Sequence, residues 1–285
     1  MSFRRVAISI AVVIAIGAAA AFLAVWNLAS PERSVVGAAP ADLPARDIEF
    51  VSHGVTLRGW FVPEGHRGVI VLLHGVRGNR LQMVDRARFL HRAGYAALLF
   101  DSRAHGESGG DAITFGHLES EDARAAVTLA RSLAPGEPVG AIGVSLGGAA
   151  ILLASPPLDV DAMVLESVYP SIDHAIEDRL RWRAGFLAPV FAPVLESMIP
   201  VRLGFRAGEL RPIDHVGKLT AAKLFLFGTA DRDTTVGESV ELFNSAAEPK
   251  QMWAVEGAAH VDLCSFAPRE YERRVLEFLD RWVGR

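Results

Sequence analysis

The chain contains a single cysteine, Cys264, among its 285 residues. One cysteine cannot form an intramolecular disulfide, and a zinc site built from several cysteines is excluded. The nine histidines are scattered and include no H-x-x-x-H pair, which would place two ligands on one helix face. The residue pattern therefore predicts no metal site, and a core of this length needs no disulfide to fold.

Clustered positive charge is also absent from the chain. Its 29 Lys and Arg residues are balanced by 33 Asp and Glu residues, for a net charge of −4. Because no run of basic residues could form a phosphate-binding face, nucleic acid is not expected as a partner. Hydrophobic residues make up 51% of the sequence, which is enough for one large core.

The N-terminus carries the longest uncharged stretch, from Val6 to Ser30. Its most apolar part, Val6–Trp26, would span ~31 Å as a helix at ~1.5 Å per residue, about the thickness of a bilayer core. Arg4 and Arg5 precede it and favour a cytoplasmic N-terminus. Residues 1–30 are therefore predicted to be a single-pass membrane anchor, with the following domain on the outer side of the membrane.

A cleaved signal peptide is the alternative interpretation of this segment. Small residues at Ala18–Ala21 could offer a cleavage site. The apolar region of a signal peptide is usually about 7–15 residues, which is shorter than the run seen here. The length of the run therefore favours a retained anchor.

The chain after the anchor alternates between strand and helix patterns. Residues 31–46, rich in Pro, Ala and polar residues, are predicted to be a linker. Asp47–Ser52 and Val55–Val62 should form a hairpin, with His53-Gly54 at the turn. From residue 47 to 285 the alternation predicts one domain, with a mainly parallel eight-stranded sheet and helices on both faces.

Residues 167–216 interrupt this alternation. The segment is too long for an ordinary loop and too apolar for disorder. It contains aromatic residues such as Tyr169 and Trp182 and is expected to form a small helical cap over the carboxyl edge of the sheet.

A Gly-x-Ser-x-Gly pentapeptide, Gly143 to Gly147, lies between a predicted strand and a predicted helix. Glycines at both ends allow a tight turn that holds Ser145 in a strained conformation, with its hydroxyl exposed above the sheet. The pentapeptide alone is weakly specific. Its context, an apolar strand before it and a helix of small residues after it, decides the interpretation. That context predicts Ser145 as a nucleophile, with the Leu146 N–H at a helix N-terminus ready to stabilise an oxyanion.

A second oxyanion donor is predicted after an earlier strand, in His74-Gly75-Val76. A sharp turn there would direct the Val76 N–H toward the same position. His74 itself is interpreted as structural.

The acid and base should follow the serine along the chain. Asp231 and His260 each follow a predicted strand, which places both at the carboxyl edge. His260 is predicted as the general base and Asp231 as the residue that orients it. Asp233 and Glu166 remain alternative acids, and Asp262 is interpreted as a helix cap.

Several motifs in order make the sequence similar to the α/β-hydrolase superfamily from about residue 47 to the C-terminus. They are Leu72-Leu73-His74-Gly75 with Gly78-Asn79, residues 101–108 (DSRAHGES), Thr114-Phe115-Gly116 with Glu119 and Asp122, and residues 257–262 (GAAHVD). The combination resembles bacterial hydrolases related to serine aminopeptidase and monoacylglycerol lipase-like enzymes. The resemblance implies a Ser145–His260–Asp231 triad, an oxyanion hole from Val76 and Leu146, and neither a metal nor an organic cofactor. The family often has a Val-Pro pair after the acid, where this chain has Asp233-Thr234-Thr235.

The expected reaction is hydrolysis of a carboxylic ester through an acyl-enzyme, with a small apolar ester or acyl group as the substrate. Amide, peptide or thioester cleavage by the same triad is an alternative. A third possible function is that of a non-catalytic, membrane-tethered binding protein. Such a protein would be expected to lack a member of the triad.

Overall fold

The structure is a computed structural model that describes residues 17, 19–63 and 66–284. Most of the predicted membrane segment, Val6–Trp26, lies outside these residues. Its described end forms helix α1 (Ala19–Leu28). In the part of the chain described here, no single helix is both long and apolar enough to cross a membrane, although a bent pair, Ala188–Leu203 with Ala207–Val216, meets the criteria of length and composition.

Ten strands are arranged in two sheets within the described residues. They are β1 (Glu32–Arg33), β2 (Arg46–Ser52), β3 (Val55–Val62), β4 (Val69–Leu73), β5 (Ala96–Phe100), β6 (His105–Gly106), β7 (Val139–Val144), β8 (Ala162–Glu166), β9 (Ala222–Gly228) and β10 (Lys250–Val255). The large sheet has the order β10-β9-β8-β7-β4-β5-β3-β2, and β1 pairs with β6 in a small separate sheet.

The large sheet is mainly parallel, as the sequence predicts. Only the pairs β2–β3 and β3–β5 are antiparallel. The carboxyl ends of β4, β7, β8, β9 and β10 therefore meet at one edge, where residues that follow different strands can converge. The predicted hairpin is confirmed, and its turn residues His53 and Gly54 both have positive φ, at 45° and 78°.

Helices connect these strands and cover both faces of the sheet. Besides α1, they are α2 (Val84–Arg92), α3 (Glu119–Leu133), α4 (Leu146–Leu153), α5 (Ile172–Ala184), α6 (Ala188–Leu203), α7 (Ile213–Val216), α8 (Val236–Ser245), α9 (Leu263–Phe266) and α10 (Pro268–Trp282). Short 3-10 helices cover Arg80–Met83, Gly185–Leu187 and Ala207–Glu209.

The core has two layers because successive side chains of a strand point to opposite faces. In β4, Val71 and Leu73 pack in the layer that contains α3 and α4. Ile70 and Leu72 pack in the other layer, with α2 and α10. Every residue of β4 is buried, as expected for a central parallel strand.

The insertion between β8 and β9 is helical, with α5, α6 and α7 in the region predicted as a cap. Ser171 begins α5 as an N-cap, since its side chain accepts from the His174 N–H. Residues 31–46, predicted as a linker, contain β1 and bury Leu43 in the core layer beside α2. This segment therefore packs on the domain.

Candidate active site

Ser145 occupies a one-residue turn between β7, which ends at Val144, and α4, which begins at Leu146. Its φ of 49° and ψ of −105° lie outside the ordinary regions for an L-residue, so the turn is strained. The Ser145 N–H donates to the Glu166 carbonyl at 2.7 Å, and its carbonyl accepts from Ala149 at 2.9 Å. The turn is thus fixed on one side by β8 and on the other by the first turn of α4.

The glycines around Ser145 are required by close backbone approach. A Cβ at Gly143 would lie 2.5 Å from the backbone of Gly147, and one at Gly147 would overlap the Leu73 carbonyl oxygen. A Cβ at Gly148 would collide with Val168. The strand-to-helix turn can therefore form only where these side chains are absent.

His260 and Asp231 are in direct contact. His260 Nδ1 lies 2.8 Å from Asp231 Oδ2. The Asp231 side chain is fully buried, whereas the imidazole is 24% exposed. Asp231 follows β9 and His260 follows β10, and these two parallel strands are neighbours. Adjacent strand ends thus bring together two residues that are distant in the sequence.

The Asp231 carboxylate is fixed by backbone as well as by histidine. Its Oδ1 accepts from the N–H groups of Asp233 and Thr234, both at 2.9 Å. The chain therefore turns around this carboxylate, while Oδ2 remains available to His260. Thr235 then caps α8, because its hydroxyl accepts from Glu238 N–H.

The two alternative acids have other partners. Glu166 forms a buried bidentate pair with Arg86, at 3.0 Å to Nε and 2.7 Å to Nη2. Asp233 directs its carboxylate toward Arg179 on α5, at 4.0 Å. Among the three candidates, Asp231 is the carboxylate in contact with His260.

Asp262 serves as a cap, as interpreted from the sequence. Its Oδ1 accepts from the Ser265 N–H at the start of α9, and its Oδ2 lies 2.8 Å from Arg86 Nη1. The second contact joins the loop after His260 to the buried Arg86–Glu166 pair.

His74 is a structural residue. The Ser102 N–H donates to its Nε2 at 3.0 Å, so Nδ1 carries the proton and donates to the Gly75 carbonyl at 2.7 Å. Burial, with a smaller contribution from the neighbouring His105, lowers the pKa of His74 to about 3. A neutral imidazole therefore holds the loop that carries Val76.

Ser145, His260 and both predicted oxyanion residues, Val76 and Leu146, line a single cavity of about 410 Å³. Most of its remaining wall is apolar. The cap contributes much of that wall: Ile172, Ala175, Ile176 and Leu180 from α5, and Leu195 and Ile199 from α6. The cavity therefore places the polar side chains of Ser145 and His260 beside a mostly apolar wall.

Few charged side chains face this cavity. Arg77 is held by the Glu32 carboxylate at 3.0 Å and by two oxygens of Asn27. Arg179 and Asp233 face each other. Tyr169 also lines the cavity, and its hydroxyl donates to the Phe115 carbonyl at 2.5 Å.

Two groups of cavity residues could not be recognised from the sequence. The Arg179–Asp233 pair joins the cap to the loop after β9, and no short motif marks it. Ala24, Val25 and Leu28 of α1 also line the cavity. Their apolar context in the sequence is typical of a membrane segment and gives no sign of a place in the site.

A family model described as serine aminopeptidase, S33, matches residues 64–203. The chain is 25% identical over 234 residues to the uncharacterized protein YqkD of Bacillus subtilis, covering 80% of this chain and 77% of that protein. It is 27% identical over 259 residues to the uncharacterized protein YfhR of Salmonella typhi, covering 82% and 80%. The solved structure of the esterase Pf2001 from Pyrococcus furiosus superposes with a TM-score of 0.75 at 25% identity, covering 90% of this chain and 99% of that one.

The fold, the site and these similarities define the class of the protein. The chain is an α/β-hydrolase. Within that superfamily, residues 64–203 are similar to the serine aminopeptidase, S33, family, and the overall structure is similar to that of the Pyrococcus furiosus esterase.

Proposed function

We propose that the protein is a serine hydrolase that cleaves a carboxylic ester through an acyl-enzyme on Ser145. One observation carries the proposal. The strained Ser145 turn and the His260–Asp231 pair, joined at 2.8 Å, meet at one apolar cavity. A nucleophile, a base and a group that orients the base are the parts that acyl transfer needs.

The reaction would begin when the Ser145 hydroxyl attacks the ester carbonyl. His260 Nε2 takes the hydroxyl proton, and buried Asp231 stabilises the resulting imidazolium through Nδ1. His260 then returns the proton to the alkoxide leaving group, which departs as an alcohol. Water, deprotonated by the same imidazole, attacks the acyl-enzyme and releases the carboxylic acid and free Ser145.

The oxyanion formed in each half-reaction requires N–H donors. In this proposal they are the backbone N–H groups of Val76 and Leu146. The Leu146 N–H belongs to the first turn of α4, where N–H groups have no partner within the helix. One such donor is typically worth about 3 kcal/mol in the transition state.

The lining of the cavity favours an ester with an apolar acyl group over a peptide. An aminopeptidase must bind the charged amine at the end of its substrate, which requires an available carboxylate. Among the described residues that line the cavity, Asp233 is the one carboxylate, and Arg179 faces it at 4.0 Å. The similarity to the Pyrococcus furiosus esterase Pf2001 supports the same choice.

The proposed location is the outer side of a membrane, with residues 1–30 as a single-pass anchor. The length of the apolar run Val6–Trp26 supports retention of this segment, because the apolar region of a cleaved signal peptide is usually about 7–15 residues. Carbonate extraction of membranes tests it. A retained anchor keeps the full-length protein in the pellet, and release into the soluble fraction contradicts the anchor.

Hydrolysis of a panel of nitrophenyl esters tests the proposed reaction. We expect turnover of apolar acyl esters by the full-length protein. Ser145→Ala should lower kcat by a factor on the order of 10⁴ to 10⁶. Ser132→Ala, an exposed serine on α3, is the matched control and should keep wild-type kcat. If amides or thioesters are hydrolysed and esters are not, the proposed substrate class changes to amides or thioesters.

A further inference from the structure

Helix α1 is fixed to the hydrolase domain at its C-terminal end. Arg77, in the loop after β4, donates through Nη2 to the carbonyl and side-chain oxygens of Asn27, both at 3.0 Å. The Ile113 N–H donates to the Ala29 carbonyl at 2.9 Å. Val25 and Ala29 are buried, at 5% and 0% exposure. These contacts hold α1 against loops that belong to the catalytic half of the fold.

The cap also contacts this helix. The Arg202 guanidinium, near the end of α6, lies 4.3 Å from the centre of the Trp26 ring. This is a cation–π distance, at which the cation is attracted to the face of the ring. Helix α1 thus contacts both the core loops and the cap.

One face of α1 reaches the cavity. Ala24, Val25 and Leu28 line it together with Ser145 and His260. Residues four apart in a helix share a face, so Ala24 and Leu28 form one apolar strip. Leu23 does not line the cavity and is 64% exposed, although it adjoins Ala24 in the sequence.

We propose that α1 is a wall of the acyl-binding cavity and limits the length of the acyl chain that the enzyme accepts. The proposal rests on the proposed ester hydrolysis and adds a determinant of its specificity. Since the strip is apolar and faces the chamber that contains Ser145, an acyl chain bound to Ser145 would pack against it. A segment with the composition of a membrane anchor would then also be part of the substrate site.

Two substitutions in the full-length protein should shift the chain-length profile in opposite directions. Ala24→Phe enlarges a side chain of the strip and fills part of the cavity. It should lower kcat/KM for nitrophenyl dodecanoate relative to acetate by about tenfold or more, the scale of discrimination per methylene in an apolar pocket. Leu28→Ala removes bulk and should raise the same ratio. Leu23→Ala is the matched control and should leave it unchanged.

The outcomes separate this inference from the proposed function. If esters are hydrolysed and neither Ala24→Phe nor Leu28→Ala changes the ratio, α1 is not a specificity wall and the proposed function stands. If no ester is hydrolysed, the proposed function fails, and dodecanoate binding to the Ser145→Ala protein, measured by calorimetry, still tests the wall. Ala24→Phe in that background should weaken binding about tenfold, and absent or unchanged binding overturns the inference.

Discussion

Asp231 Oδ2 lies 2.8 Å from His260 Nδ1, while the other oxygen of the same carboxylate accepts two backbone N–H groups. Both oxygens are therefore occupied, and the carboxylate cannot rotate without losing hydrogen bonds. A buried acid fixed in this way sets the imidazole tautomer and leaves Nε2 to accept a proton. The arrangement distinguishes Asp231 from Asp233, which lies two residues away and faces Arg179.

Replacement of each of these two acids should have very different effects. Asp231→Asn should lower kcat by about 10⁴, because the amide favours the wrong imidazole tautomer. Asp233→Asn should keep kcat within about tenfold, since its carboxylate contacts Arg179 and not His260. The measurement is steady-state ester hydrolysis. Full activity in Asp231→Asn with loss in Asp233→Asn would move the acid to Asp233.

The close backbone contacts beneath Ser145 lead to a second prediction. Gly143→Ala places a Cβ 2.5 Å from the Gly147 backbone, so the turn must move and kcat should fall by at least about 10²-fold. Gly208→Ala is the matched control, because a Cβ there has no neighbour within 4 Å. Equal activity of the two variants would show that the turn tolerates the added group.

The elements that surround the site could be predicted because their signals are local. The apolar run of β7, the glycines beside Ser145 and the order Ser145, Asp231, His260 all lie in short stretches of sequence. The strand predicted before Ser145 is β7, which ends at Val144.

The features that could not be predicted depend on tertiary packing. Pairing of β1 with β6 joins residues more than 70 positions apart, as in Glu32 with His105, and neither strand has a pattern of its own. Helix α1 has the composition of a bilayer segment, so its contact with the cavity is visible only in the fold. Helix α8 was missed, although Thr235 and Glu238 form a capping box that could have marked its start.

The buried Arg86–Glu166 pair should be important for stability. Both side chains are at most 1% exposed. Glu166→Gln would remove the negative charge that pairs with the buried Arg86 guanidinium. We expect the free energy of unfolding to fall by about 3–5 kcal/mol in urea titrations. Glu272→Gln breaks an exposed pair with Arg92 and should cost less than about 1 kcal/mol. Equal losses in the two variants would contradict this account of the pair.

The cap contains a group that should make stability depend on pH. Burial and the neighbouring Glu238 carboxyl raise the pKa of Asp178, on α5, from an ordinary value of 3.8 to about 7. The folded state therefore binds this proton more tightly than the unfolded chain. The resulting stabilisation is fully present below about pH 4 and is lost as the pH rises through about 7.

Asp178→Asn tests this dependence because asparagine stays neutral. At pH 8 the variant should melt at least about 2–4 °C above the wild type, the shift that about 1 kcal/mol produces in a protein of this size. At pH 5 the difference should be smaller. Glu177→Gln, at an exposed neighbour that pairs with Arg181, is the control. Parallel melting curves for wild type and Asp178→Asn between pH 5 and pH 8 would contradict the prediction.

The identity of the nucleophile is the central claim, and covalent labelling tests it most directly. The full-length protein is incubated with a fluorophosphonate, and the modified residue is located by mass spectrometry. We expect one phosphonylated serine, Ser145, with labelling abolished in Ser145→Ala and retained in Ser132→Ala. Equal labelling of wild type and Ser145→Ala, or modification of a different serine, would contradict it.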